Sequence, residues 1–129
     1  KRNKFQDHAM SAGNYDFEIE KGSTHTLNLS YKDSNDAVIN LSSGYSARMK
    51  IKDSPNGEVY ASTESADSPK NTITITLGSS GNNIVVSIPA TATSTFDFDS
   101  AMYDLELVSG SNVDRIIEGR IKLDRGVSS

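Results

Sequence analysis

Cysteine and tryptophan are absent from the 129 residues, and proline occurs only three times. Without cysteine there is no disulfide framework, zinc–thiolate site, iron–sulfur cluster or cysteine nucleophile, and extracellular residence is neither required nor excluded. Nowhere do about 18 apolar residues run together, which excludes a transmembrane helix. Histidine is scarce too, with His8 and His25 the two in the chain. Neither charge sign is in large excess: 17 acidic residues stand against 13 basic ones, a net charge of −4. That mild acidity argues against a nucleic-acid partner, which calls for a basic surface able to release counterions. Basic residues cluster only at Lys1, Arg2 and Lys4. The first ten residues hold no apolar stretch, so no secretory leader is expected there.

What the chain has in quantity is small polar residues: 20 Ser, nine Thr and ten Asn. This suits many short strands with hydroxyl-rich outer faces and suits long helices poorly. Alternation of period two confirms it. Tyr15-Asp16-Phe17-Glu18-Ile19-Glu20 sets each apolar residue beside an acid, and the pattern returns over 25–31, 45–52, 72–77, 84–88, 101–108 and 113–123. Shorter strands are expected over 37–39 and 59–62. Ser54-Pro55-Asn56-Gly57 is a strong turn signal. Residues 64–70 read as a polar loop, and 90–95 as a connector or a single helical turn. No segment of ten residues has helical periodicity, and no solenoid-length repeat is present.

Strands at this spacing with polar turns predict one antiparallel sandwich or small barrel, over 14–129, preceded by a flexible segment over 1–13. The inward set is Phe17, Ile19, Leu27, Leu29, Met49, Ile51, Ile73, Ile75, Leu77, Ile84, Val86, Ile88, Tyr103, Leu105, Leu107, Ile117, Ile121 and Leu123. Burying such side chains is worth roughly 1.5–3 kcal/mol each before entropy is subtracted. Gly119 falls in the inward phase, where a missing side chain permits close approach or a bulge. On the outer faces, Asp16, Glu18 and Glu20 make an acidic stripe and Arg48, Lys50 and Lys52 a basic one. On neighbouring strands these would pair; the alternative is that each faces a partner subunit.

Catalytic signals are thin. A histidine-dependent mechanism would have to use His8, in the expected tail, or His25, in the phase of Leu27 and Leu29. No nucleophile elbow, phosphate-cradling glycine loop or zinc helix motif is present. Asp97 with Asp99, or Asp104 with Glu106, offer carboxylate pairs of the kind glycoside hydrolysis uses, although the second pair is also the polar half of a strand. Asp33-Ser34-Asn35-Asp36 and Asp97-Phe98-Asp99 supply oxygens but lack the register of a calcium loop. A sugar-binding sandwich needs an exposed aromatic platform, and Tyr60 is the leading candidate. Two Asn-X-Ser matches, at Asn28 and Asn40, arise readily by chance in Ser-rich sequence. Physical reading thus gives a fold class and no chemistry.

Three stretches carry a family resemblance. They are 15–24, then Ile39-Asn40-Leu41-Ser42-Ser43-Gly44-Tyr45-Ser46-Ala47-Arg48-Met49-Lys50-Ile51, then Tyr103-Asp104-Leu105-Glu106-Leu107 followed by Val113-Asp114-Arg115-Ile116-Ile117-Glu118-Gly119-Arg120-Ile121. Together they resemble small virion proteins of the tail and baseplate region of tailed phages, especially marine myophages, and the N-terminal domain of upper baseplate proteins. The likeness spans about 11–129, and the closing hairpin is its most specific part. It implies an immunoglobulin-like antiparallel β-sandwich and a non-enzymatic structural role in a phage tail, baseplate or neck, as an assembly or adaptor module. The implied partners are other virion proteins, in several copies of a symmetric assembly put together in the host cytoplasm, with no cofactor, metal, nucleic acid or membrane. Because family members often continue into a receptor-binding or fibre region, a chain ending at Ser129 leads to the expectation of a stand-alone module. Met10-Ser11-Ala12-Gly13 resembles a natural start, with 1–9 as an upstream extension. Arg48, Asp104, Glu106, Arg115 and Arg120 are the candidate interface or fold-stabilising residues. The rival reading is a carbohydrate-binding sandwich for host-surface recognition, and a carboxylate-pair hydrolase or lyase is a second.

Overall fold

The computed structural model describes residues 13–126. Nine strands follow one another: β1 (Gly13–Asn14), β2 (Phe17–Glu20), β3 (His25–Leu29), β4 (Ser46–Lys52), β5 (Val59–Ser62), β6 (Thr74–Leu77), β7 (Ile84–Ile88), β8 (Ser100–Ser109) and β9 (Asn112–Asp124). A 3₁₀ turn over Ser65–Asp67 links β5 to β6, and a single helical turn, α1 (Ala90–Thr93), links β7 to β8. The short strand expected over 37–39 is reduced to one bridge between Lys32 and Val38. Of the tail expected over 1–13, residues 1–12 lie outside the described residues, and Gly13 already pairs with Ile117.

The strands form two sheets. The larger runs β1-β9-β8-β4-β5, with β2 also on β9; the smaller is β3-β7-β6. Lettered in chain order, with β1 and β2 as A, these are A-G-F-C-C′ and B-E-D. B, E and D against C, F and G is the division that defines an immunoglobulin-like sandwich, and a C′ strand beside C is its variable-type extension. One expectation is corrected: the sandwich is not wholly antiparallel. β1 and β2 run parallel to β9 and keep one register along it, Gly13 with Ile117 and Phe17 with Ile121.

Gly119 explains how that first strand is seated. Between β1 and β2 the chain steps out of the ladder, and the Tyr15 carbonyl lies where a Cβ on Gly119 would have to go. The Tyr15 N–H donates to the Glu118 carbonyl (2.9 Å), and the Asp16 carboxylate accepts the Arg120 N–H (2.9 Å). From beneath, the Tyr103 hydroxyl donates to the Tyr15 carbonyl (2.5 Å). Burial pushes the Tyr103 phenol far above its ordinary pKa, so it remains a donor. A glycine in the inward phase therefore marks a close backbone approach, as its position in the alternation implies.

The interior fills as the alternation dictates. Ile19, Met49, Ile51, Ile84, Val86, Ile88, Leu105 and Ile121 are sealed from solvent, while Phe17, Leu29, Ile75 and Leu77 are only partly buried and pack against that core. Other core members lie outside the strands: Tyr31 and Leu41 between β3 and β4, and Phe96 and Phe98 after α1. Two buried polar groups fix these connections. Asn83 donates to the carbonyls of Tyr31 (3.0 Å) and Ile39 (2.7 Å) and accepts from the Tyr31 N–H (2.8 Å). The Thr93 hydroxyl donates to the Ser23 carbonyl (2.8 Å) and accepts from the Gly22 N–H (3.1 Å), tying α1 to the turn before β3.

Candidate docking face on the six-stranded sheet

Strands β4, β8 and β9 turn their polar halves outward on the same side. Their registers line the side chains up in rows across the sheet: Lys52–Met102–Arg120, Lys50–Asp104–Glu118 and Arg48–Glu106–Arg115. A β-bulge shapes the last row. Leu105 pairs with Ile117 but Glu106 pairs with Arg115, so Ile116 is the extra residue. It drops into the core beside Ile117, and Arg115 and Glu118 come to share the outer face although three positions apart. The rows line a shallow concavity of about 780 Å³.

All five charged residues singled out from the sequence lie on this face. Arg48 Nε donates to Glu106 Oε1 at 2.8 Å, a cross-strand pair at its register position. Arg115 lies 3.4 Å from both Asp104 Oδ2 and Glu118 Oε1. Burial raises the Asp104 pKa; Arg115 opposes the rise, and Glu106 and Glu118 add to it. Arg120 contributes its backbone N–H to Asp16, while among the described residues its side chain enters no ion pair. Lys50 turns toward the 3₁₀ turn, 3.3 Å from Asp67 Oδ2. The nearby Ser62 hydroxyl and the Lys50 ammonium hold the Asp67 pKa below its usual value, against the opposing effect of burial. Lys52 donates to the Pro55 carbonyl (2.7 Å).

The charges are uneven along the face. Arg48 pairs with Glu106 within its row and Arg115 ties that row to Asp104 and Glu118 of the next, whereas Lys52–Met102–Arg120 contains two cations, a thioether and no carboxylate. Met102 and Glu118 join the five: Met102 keeps the outward phase of Asp104 and Glu118 that of Arg120, both legible in the alternation, whereas it is Arg115 that the bulge brings to this face. The acidic and basic stripes would pair on neighbouring strands, and the strands that carry them are not neighbours. β2 lies on β9 at the edge and β4 lies beyond β8, so Glu18 and Glu20 face Lys122 and Asp124 instead.

The other candidates separate from this face. Asp97 and Asp99 are highly exposed and share Arg125, at 3.6 and 3.5 Å. Asp33 uses its carboxylate to accept the N–H groups of Asn35 and Ala37, so that loop is an Asx turn. Tyr60 packs against Phe98 (ring centroids 4.8 Å) and Phe96 (6.2 Å). His25 stacks on Phe17 at 5.0 Å, its buried Nε2 has no hydrogen-bond partner among the described residues, and burial lowers its pKa. His8 lies outside the described residues. Among the described residues, no helix is long and apolar enough to cross a membrane.

No family model matches the chain, and no curated protein matches it. Solved structures do. The chain is similar to the IG1–IG1 heterodimer of ZIG-8 and RIG-5, at 11% identity over 92% of this chain and 89% of that one, with a TM-score of 0.43. It is also similar to the ZIG-8 IG1 homodimer, at 9% identity over 92% and 86%, with a TM-score of 0.42.

Proposed function

We propose that this protein is a non-enzymatic structural component of a tailed-phage virion, an adaptor in the tail, baseplate or neck that docks on neighbouring virion proteins through the outer face of its six-stranded sheet. The phage assignment rests on the sequence resemblance of the closing hairpin and its preceding stretches. The docking assignment rests on one observation: Arg48, Asp104, Glu106, Arg115 and Arg120 come from three strands and share one face. Arg48–Glu106 and the Arg115 bridge to Asp104 and Glu118 neutralise most of that face, and Lys52 and Arg120 at its end offer cations to an acidic partner surface.

The chemical rivals have less support. Each carboxylate of the two candidate catalytic pairs has an arginine within 3.6 Å: Arg115 at Asp104, Arg48 at Glu106, and Arg125 at Asp97 and Asp99. A general acid needs a carboxyl held protonated opposite an ionised one; burial raises the Asp104 pKa, but Arg115 opposes that rise, and Glu106, Asp97 and Asp99 each sit beside a guanidinium. For sugar binding, Tyr60 has its ring committed to Phe98, and the concavity is lined mostly by charged side chains, its one aromatic, Tyr103, being buried rather than presented as an open plane.

Mass spectrometry of purified particles, with and without the charge reversals Arg48→Glu and Arg120→Glu, tests the proposal. The protein is expected in intact particles at a fixed stoichiometry, and the reversals should remove it while leaving the isolated protein folded. Absence of the wild-type chain from intact particles overturns the reading.

A further inference from the structure

Resting on the docking reading, we propose that what docks is an extended segment of a different protein, laid along β8. It carries carboxylate side chains at one end and an aliphatic or aromatic side chain at the other. The outward side chains of β8 are Met102, Asp104, Glu106 and Val108, flanked by those of β4 and β9. The first three floor the concavity, and Val108 continues the track beyond its rim. Val108 belongs to a fourth row, Ser46–Val108–Val113, at the hairpin end of the face. From Met102 to Val108 is about 20 Å along the strand. About seven extended residues span it.

The two ends of this track differ in chemistry. No member of the hairpin-end row is charged, and Val113 is 45% exposed on the outer face. At the opposite end Lys52 and Arg120 flank the half-buried Met102. Lys52 gives its ammonium to the Pro55 carbonyl, and Asp16 accepts the backbone N–H of Arg120 rather than its guanidinium. Among the described residues neither cation enters an ion pair. The rows between are neutralised by Arg48–Glu106 and by Arg115 with Asp104 and Glu118. A partner therefore matches the face with acid, then neutral polar residues, then an apolar side chain.

A second copy does not supply that match. A two-fold axis along β8 sets Lys52 against Arg120 and Glu106 against itself. An axis across the strands, midway along the track, sets Glu106 against Asp104, Arg48 against Lys50 and Arg120 against Val113. Like charges meet in both arrangements, so the occupant is a different chain. A nucleic acid fits no better, because its phosphates recur along the track and meet Asp104, Glu106 and Glu118.

NMR titration of the isotope-labelled full chain tests this. The probe is a synthetic peptide with glutamates at one end, leucines at the other and about five serines between, made in both chain directions. Below about 1 mM peptide, the amides of Met102 and Arg120 and the methyls of Val108 and Val113 should shift together. Lys52→Gln with Arg120→Gln should weaken binding about tenfold or more, as should glutamine for glutamate in the peptide. Val113→Ser should weaken it about threefold or more. Circular dichroism melting checks that the variants fold. No shift from either peptide direction at that concentration overturns the proposal. So do shifts confined to other surfaces, binding indifferent to the double glutamine, or tighter binding of a single-stranded oligonucleotide of equal charge. The two readings fail separately: the chain can be missing from particles with the peptide still bound, and present in them with the peptide unbound.

Discussion

The two sheets share one core and present opposite surfaces. Every strand of the small sheet, β3, β6 and β7, is free of Asp, Glu, Lys and Arg, and its outer residues include Thr26, Asn28, Thr74, Thr76, Val85 and Ser87. Strands β4, β8 and β9 of the large sheet carry charges on alternate residues, arranged in rows with one end unbalanced. Alternation sets the inner half of both sheets and leaves the outer half to function. A neutral outer half offers backbone edges and shape, whereas a charged one offers specificity and orientation. The sheets are also secured differently, the small one by the buried Asn83 amide and the large one by the close seating of its first strand over Gly119.

Removing the small sheet's fastening should have the largest effect. Asn83→Ala removes three hydrogen bonds to the backbone of Tyr31 and Ile39 and should cost about 3 kcal/mol, measured by urea denaturation. On the large sheet, Gly119→Ala forces a methyl into the Tyr15 carbonyl, so the first strand must lift from β9. A loss of about 1–3 kcal/mol is expected, with new protease sensitivity near Tyr15. If both substitutions were silent, the contrast in how the sheets are held would fail.

A smaller effect comes from the junction of the two sheets, where His25 of β3 stacks on Phe17 of β2. Burial lowers the His25 pKa, so the unfolded chain binds the proton more readily. Its contribution is complete above the unfolded value of about 6.5 and is lost as pH falls through that value. Stability should decline as pH falls below about 6.5, and His25→Leu should flatten that slope in pH-dependent melting. On the outer charges the thermodynamic effect should be smallest. Arg48→Ala breaks a half-exposed pair and should cost only about 0.2–1 kcal/mol, while sharply reducing incorporation into particles.

The sequence made most of this fold legible because alternation is a local signal. Met49 and Ile51 go inward, and Arg48, Lys50 and Lys52 outward, for reasons contained in seven residues. Gly119 was legible in the same way, since a glycine in an inward phase requires a spatial reason. What was hidden depends on distant partners. Tyr31, Leu41, Phe96 and Phe98 lie in connections without periodicity, and only the closed sandwich places them inside. The parallel seating of β2 on β9 is a topological choice, which is why the acidic stripe never meets the basic one. At the candidate face the five charged residues could be named, but their assembly into rows required the β4–β8–β9 order and the Ile116 bulge.

Cross-linking mass spectrometry on intact particles addresses the docking face most directly. Amine-reactive links from Lys50, Lys52 and Lys122 to a different virion protein, suppressed by Arg120→Glu, are the predicted result. Links confined to the tip loops, with those three lysines freely modified by a solvent-borne reagent, would contradict it.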